Sequence, residues 1–211
     1  MIGRSTFTHT QIIFINNIVL EVYTMVRLNE QAPEFSAMAY ADKQFKEVKS
    51  EDYKGKFVVL FFYPADFTFV CPTELEDLAG KYSELQSLGC EVLSVSTDTH
   101  FVHKAWQDAS EAIKKIEFPM LGDPLHTISK AYNVLRTNEG LSDRATIIID
   151  PDGIVKSIEI TDEPIGRNAQ ELVRKVQALK HARENPGMAC PANWKPGENT
   201  LKPGIDLVGK I

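Results

Sequence analysis

Cys71 is the residue whose type and setting could do chemistry. It lies in FFYPADFTFVCPTEL, residues 61–75, where an apolar run turns through Pro64 and Asp66 and meets the start of a helix. Pro72 suits the first helical position, because its missing N–H would find no partner inside the helix. The next free N–H groups and the positive end of the helix dipole then point at the sulfur, and both favour thiolate over thiol. Thiolate is the nucleophilic form of cysteine. Thr68 carries a hydroxyl that can bond the sulfur or a substrate, although a turn or cap role suits a threonine there equally well. The competing reading of Cys71 is inert packing, since free cysteine is among the most buried residue types.

The remaining reactive side chains narrow the chemistry. Cys71, Cys90 and Cys190 are far apart, with no CxxC and no Cys/His cluster at ligand spacing. That speaks against a zinc site and against a disulfide-stapled secreted fold, and it fits a reducing compartment, the cytoplasm. Cys90, between Gly89 and an apolar run, reads as packing. His9, His100, His103, His126 and His181 form no constellation in the sequence, so a cysteine–histidine pair of protease type is the weaker option. A net charge of −6 argues against nucleic acid or an anionic membrane as the main partner.

The elements that must position Cys71 can be read on either side of it. KFVVLFFYP (56–64) is a continuous apolar run, the pattern of a strand buried on both faces. Leu75, Leu78, Ala79, Tyr82, Leu85 and Leu88 recur at helical spacing, which predicts one helix ended by Gly89. EVLSVST (91–97) predicts a second buried strand, so the three segments make a right-handed βαβ unit with a parallel pair. A helix is expected over 99–115, a loop or short edge at FPMLGDP, and a short helix ending near Asn133. RATIIID and IVKSIEI flank Pro151-Asp152-Gly153 as a hairpin, and residues 168–184 form a last amphipathic helix. The expectation is an α/β, thioredoxin-like sandwich: a mixed central sheet flanked by helices.

The two ends differ from this body. Residues 1–24 contain an apolar run broken by Asn16, Asn17 and Glu21, too interrupted for a membrane span or a signal peptide. They are expected to be a non-native or disordered extension, with translation starting at Met25. Codons for Leu20-Glu21-Val22 can hold a ribosome-binding run, and intact mass of the natively expressed protein tests this. The domain is then 25–185. Residues 186–211 carry four prolines and four glycines without periodicity. This arm, which holds Cys190, cannot build its own core and must lie on its own domain or on a partner.

Several strings together resemble the peroxiredoxins. The spacing P-x-x-x-T-x-x-C of Pro64, Thr68 and Cys71 is similar to their active-site motif. Further matches are GLSDRATIIIDPDG (140–153), IGRNAQELVRK (165–175), PGMACPANWKPGE (186–198) and the ending DLVGKI. The likeness runs from about Arg27 to Ile211 and is greatest to the typical two-cysteine group of alkyl hydroperoxide reductase C type.

The resemblance implies roles. Cys71 is the peroxidatic cysteine, whose thiolate attacks a hydroperoxide and becomes a sulfenic acid. Arg144 donates hydrogen bonds to thiolate and peroxide, where composition alone favours a surface ion pair. Thr68 holds the peroxide, Pro64 shields the sulfur from water, and Glu74 and Arg167 orient Arg144. Glu74 stands where a CxxC enzyme has its second cysteine, which argues against a general disulfide oxidoreductase. The resolving thiol is Cys190, supplied by the other subunit of a homodimer, with Met188-Ala189 departing slightly from the family's usual residues. Dimers assemble into a decamer, and the electron donor is a flavoprotein disulfide reductase or thioredoxin. No cofactor or metal is implied. The segment RTNEG lacks a Gly-Gly-Leu-Gly insert and the tail lacks a Tyr-Phe pair, which implies resistance to over-oxidation. A ring-shaped holdase chaperone is the alternative function.

Overall fold

The computed structural model describes residues 10–15, 18–23 and 25–211. The expected extension falls partly outside them. Within it, β1 (Thr10–Ile15) and β2 (Ile18–Tyr23) pair as an antiparallel hairpin, while residues 1–9, 16–17 and 24 lie outside the described residues.

The body is built on β5 (Phe57–Phe62), buried at every position. Because side chains alternate across a strand, Phe57, Val59 and Phe61 enter one core and Val58, Leu60 and Phe62 the other. β5 runs parallel to β6 (Cys90–Ser96), as the βαβ reading requires. β3 (Ser36–Ala41) and β4 (Gln44–Lys49) form a hairpin at one side of the sheet. β10 (Arg144–Ile149) and β11 (Val155–Thr161) form the hairpin expected around Pro151-Asp152-Gly153 at the other. With β7 (Met120–Gly122) the order is β11-β10-β5-β6-β7-β3-β4, a mixed seven-stranded sheet.

Three expectations need correction. The segment after Cys71 is two helices, α1 (Cys71–Ala79) and α2 (Tyr82–Ser87), because Gly80 and Lys81 interrupt the ladder. Glycine in a helix interior costs about 1 kcal/mol relative to alanine, and the apolar spacing survives a break that leaves both pieces on one face. Gly89, at φ 76°, ends α2 as expected. α3 (His100–Ala109) is shorter than the 99–115 reading: Ser110 turns extended and only a 3₁₀ turn follows at Ile113–Lys115. β7 is no edge. It pairs parallel with β6 and antiparallel with β3, its three buried residues too few to show a period.

Leu75 and Leu78 of α1, Leu85 of α2, Trp106 of α3 and α5 (Ala169–Glu184) cover one face of the sheet. α4 (Thr127–Ala131) and the following Tyr132 cover the other. A two-residue ladder, β8 (Leu135–Arg136) with β9 (Leu141–Ser142), spans the segment before β10. Asn168 caps α5, its side chain accepting from Glu171 N–H at 3.1 Å. The arm after α5 docks on its own domain: Trp194 is buried, its ring centroid 4.7 Å from that of His181, and Ala189 bridges Leu201.

Candidate active site

The 63–70 loop carries the chain from the end of β5 into α1. Cys71 is the first residue of α1 and is fully buried, with Pro72 next. The helix therefore starts one residue earlier than expected. Its first-turn amides are also used differently. Thr73 and Glu74 N–H both donate to the Val70 carbonyl, at 3.0 and 3.2 Å, because Val70 is itself in the right-handed helical region. The donor on the sulfur is instead Arg144, whose Nη1 lies 3.2 Å from Cys71 Sγ.

Arg144 reaches the sulfur because it opens β10, which pairs with β5. It is buried rather than paired at the surface. Its Nη1 also donates to Glu74 Oε2 at 2.8 Å, and its Nε donates to the Glu163 carbonyl at 2.6 Å. Glu74, one turn along α1 from Cys71, is buried too. Arg167 grips it from the far side: backbone N–H and Nε to Oε1, both at 2.8 Å, and Nη2 to Oε2 at 3.1 Å. Arg167 Nη1 donates to the Ala145 carbonyl at 2.7 Å, and its Cζ stands 3.4 Å from the centre of the Phe61 ring. Gly166 permits this approach, since a Cβ there would sit 3.3 Å from Val70 Cγ1 and 3.6 Å from Glu74 Cγ.

Burial alone would raise the Glu74 carboxyl, but the hydrogen bonds and charge of Arg167, then the charge of Arg144, outweigh it and hold the carboxyl below its ordinary range. Burial works against the Arg144 charge, yet the sulfur and Glu74 more than offset it and push its pKa up. For Arg167 burial wins over Glu74 and pulls its pKa down.

The structure joins four of the sequence-selected residues by hydrogen bonds, places Pro64 beside Arg144, and gives Thr68 and Cys190 other partners. Cys71, Arg144, Glu74 and Arg167 form a single hydrogen-bonded chain. Pro64 is buried and lines, with Arg144, a cleft of about 470 Å³. Thr68 Oγ1 donates to the Ala65 carbonyl at 2.9 Å, which leaves its oxygen lone pairs as acceptors. Cys190 stands apart: its Sγ lies 3.8 Å from the Ala178 carbonyl on α5. Burial raises its thiol pKa, and Arg174 only partly opposes this. Cys90 is buried as packing, its thiol pushed up to about 12 by burial and then by Glu91.

Two participants escaped the sequence reading. The Glu163 carbonyl is a backbone group, which no side-chain pattern reports. The histidine expectation needs correction: His103 belongs to a buried cluster with Asp66 and Tyr63. The signal was present as Tyr63 and Asp66 flanking Pro64, but the partner lies 37 residues from Asp66.

A buried cysteine faced by a fixed guanidinium, in a thioredoxin-like fold, suits a thiol peroxidase. Comparison with known proteins gives the same class and narrows it. The profile of the AhpC/TSA family matches residues 28–158, and that described as the C-terminal domain of 1-Cys peroxiredoxin matches residues 178–206. Alkyl hydroperoxide reductase C of Staphylococcus epidermidis is 54% identical over 189 residues, 89% of this chain and 100% of that protein. The crystal structure of Enterococcus faecalis AhpC superposes with a TM-score of 0.76 at 49% identity, covering 79% of this chain and 100% of that one. Reduced Plasmodium vivax 2-Cys peroxiredoxin superposes at 0.81 and 37% identity, covering 85% and 94%. The chain belongs to the AhpC/TSA family. It is a peroxiredoxin, an enzyme that reduces peroxides through a thiol.

Proposed function

We propose that Cys71 is the thiol that meets the peroxide and that Cys190 of a second copy resolves it. The observation that carries the first half is the 3.2 Å contact between Arg144 Nη1 and Cys71 Sγ. Arginine is charged at every working pH, so with Cys71 as thiolate and Glu74 ionised the buried group Arg144, Arg167, Glu74 and Cys71 sums to zero charge. The thiolate sulfur forms a bond to one peroxide oxygen while the O–O bond breaks. The electron pair leaves with the second oxygen, which takes up a proton as alcohol or water. Arg144 donates to the charge building on that oxygen. The Thr68 oxygen accepts from the peroxide O–H, and Pro64 keeps water off the sulfur.

Cys190 then attacks the Cys71 sulfenic acid, an S–S bond forms and water leaves. A disulfide needs Cα atoms within about 4.4–6.8 Å, and Cys190 here lies against α5, so both segments move before the sulfurs meet. A second copy supplies the thiol: the arm has no core of its own and needs another surface to lie on. Phe69, 91% exposed, with Phe67, Phe101 and Phe45 also exposed, offers apolar surface for assembly of dimers into a decamer. The disulfide is returned to thiols by a flavoprotein disulfide reductase or thioredoxin, in the cytoplasm. Hydrogen peroxide and organic hydroperoxides are the substrates. Peroxide consumption with dithiothreitol as reductant tests the assignment: wild type turns over and Cys71→Ser does not. A Cys71→Ser protein as active as wild type would refute it.

A further inference from the structure

A buried polar cluster outside the Cys71–Arg144 chain joins Tyr63, Asp66 and His103. Tyr63 Oη donates to Asp66 Oδ1 at 2.7 Å, and Asp66 Oδ2 lies 2.8 Å from His103 Nδ1. His103 Nε2 lies 3.1 Å from the Leu121 carbonyl on β7. That oxygen only accepts, so Nε2 is the donor in this contact. The side chains of His103 and Asp66 are wholly buried. The Asp66 backbone N–H donates to Asp98 Oδ2 at 2.8 Å, and Asp98 is held in turn by Ser96 Oγ at 2.9 Å. Phe67 follows in the left-handed region at φ 55°, a costly conformation for a bulky residue, with its ring centroid 5.9 Å from that of Trp106. His103 and Trp106 lie three apart on α3 and so share a face. The loop ahead of Cys71 is thus tied at Asp66 and Phe67 to α3, which His103 in turn ties to β7, and at Asp66 to Asp98 just past β6.

We propose that Asp66 and His103 are positioning residues for the peroxide step. They hold the 64–70 loop in its strained path, so that Thr68 and Pro64 stay in place around Cys71. The proposal rests on the reading of Cys71 as the peroxide-reacting thiol. It predicts a loss specific to peroxide: an electrophile that needs only the sulfur is indifferent to where Thr68 stands.

The test compares two second-order rates at Cys71 in the reduced full-length protein, one with hydrogen peroxide and one with iodoacetamide. In His103→Gln the peroxide rate is expected to fall about tenfold while alkylation changes less than about twofold. Tyr63→Phe removes one oxygen from the cluster and is expected to show the same split at about threefold, which carries the test if His103→Gln does not fold. In a Thr68→Val background His103→Gln is expected to add little, since two residues acting through one geometry are not additive. Parallel loss of both rates, or unchanged peroxide rates in both variants beside a reactive wild type, overturns this inference alone. A wild type that alkylates but ignores peroxide overturns the reading of Cys71 and this inference with it.

Discussion

Glu74 occupies the centre of the site, with a guanidinium on each side. Its two oxygens accept from both arginines, so one carboxylate sets the position of the group that faces the sulfur. Replacing Arg144 by Gln is predicted to slow peroxide reduction about 10²–10³-fold, the usual effect of removing a donor from developing oxyanion charge. Arg144→Lys is expected to recover only part of this, because an ammonium cannot reach the sulfur, Glu74 and the Glu163 carbonyl as a planar fork does. Rates of Cys71 oxidation measure both. Glu74 also couples the site to acid stability. Its carboxyl is held below the ordinary range, so its contribution is fully present above the unfolded value of about 4.3 and is lost as pH falls through the lower folded value. Unfolding midpoints in urea between pH 6 and pH 3 are predicted to fall less steeply in Glu74→Gln, from a starting stability lower by about 3–5 kcal/mol. Equal steepness in the two proteins would contradict the assignment. At this scale the sequence was informative where chemistry needs a side chain in a motif. Cys71, Arg144, Glu74 and Arg167 were all legible, whereas Tyr63 and Asp66 meet His103 only after the sheet has formed.

On the proposed mechanism α1 serves two states. In the reduced form its first turn holds Cys71 buried, with the Val70 carbonyl taking two amides. The proposed disulfide requires that turn to open, because a cysteine of a second copy cannot bring its backbone within bonding range of a sulfur buried in the closed helix. Amide exchange in the 67–75 segment is therefore predicted to rise in the oxidised protein, with β5 unchanged as an internal control. Identical exchange in both redox states would mean that the sulfurs meet by another route. The strands flanking this helix were clear in the sequence because β5 and β6 are continuous apolar runs with no competing pattern. The helix break at Gly80 was hidden, since the periodicity of leucines continues across it. β7 was hidden for the opposite reason: its three residues, Met120–Gly122, carry no period at all, and only pairing on both sides defines them as a strand.

Among the described residues, the sheet supplies two cores, and the arm and several exposed phenylalanines lie outside them. The arm was legible as a segment without its own core. Its docking through Trp194 was not, because a lone tryptophan in a Pro/Gly-rich stretch has no spacing to read. If the proposed decamer is built on these phenylalanines, Phe101→Asp shifts the reduced protein from decamer to dimer in sedimentation velocity, by placing charge in the apolar surface. A variant that sediments as wild type would remove Phe101 from the interface. No described helix is long and apolar enough to cross a membrane.

The most direct test of the central claim is a non-reducing denaturing gel of the protein after one equivalent of hydrogen peroxide, beside Cys71→Ser and Cys190→Ser. The predicted result is a covalent dimer in wild type that is absent from both variants. A wild type that stays monomeric on the gel with Cys71 still free would contradict the claim that Cys71 reacts with peroxide. A monomer with Cys71 oxidised would contradict the pairing with Cys190.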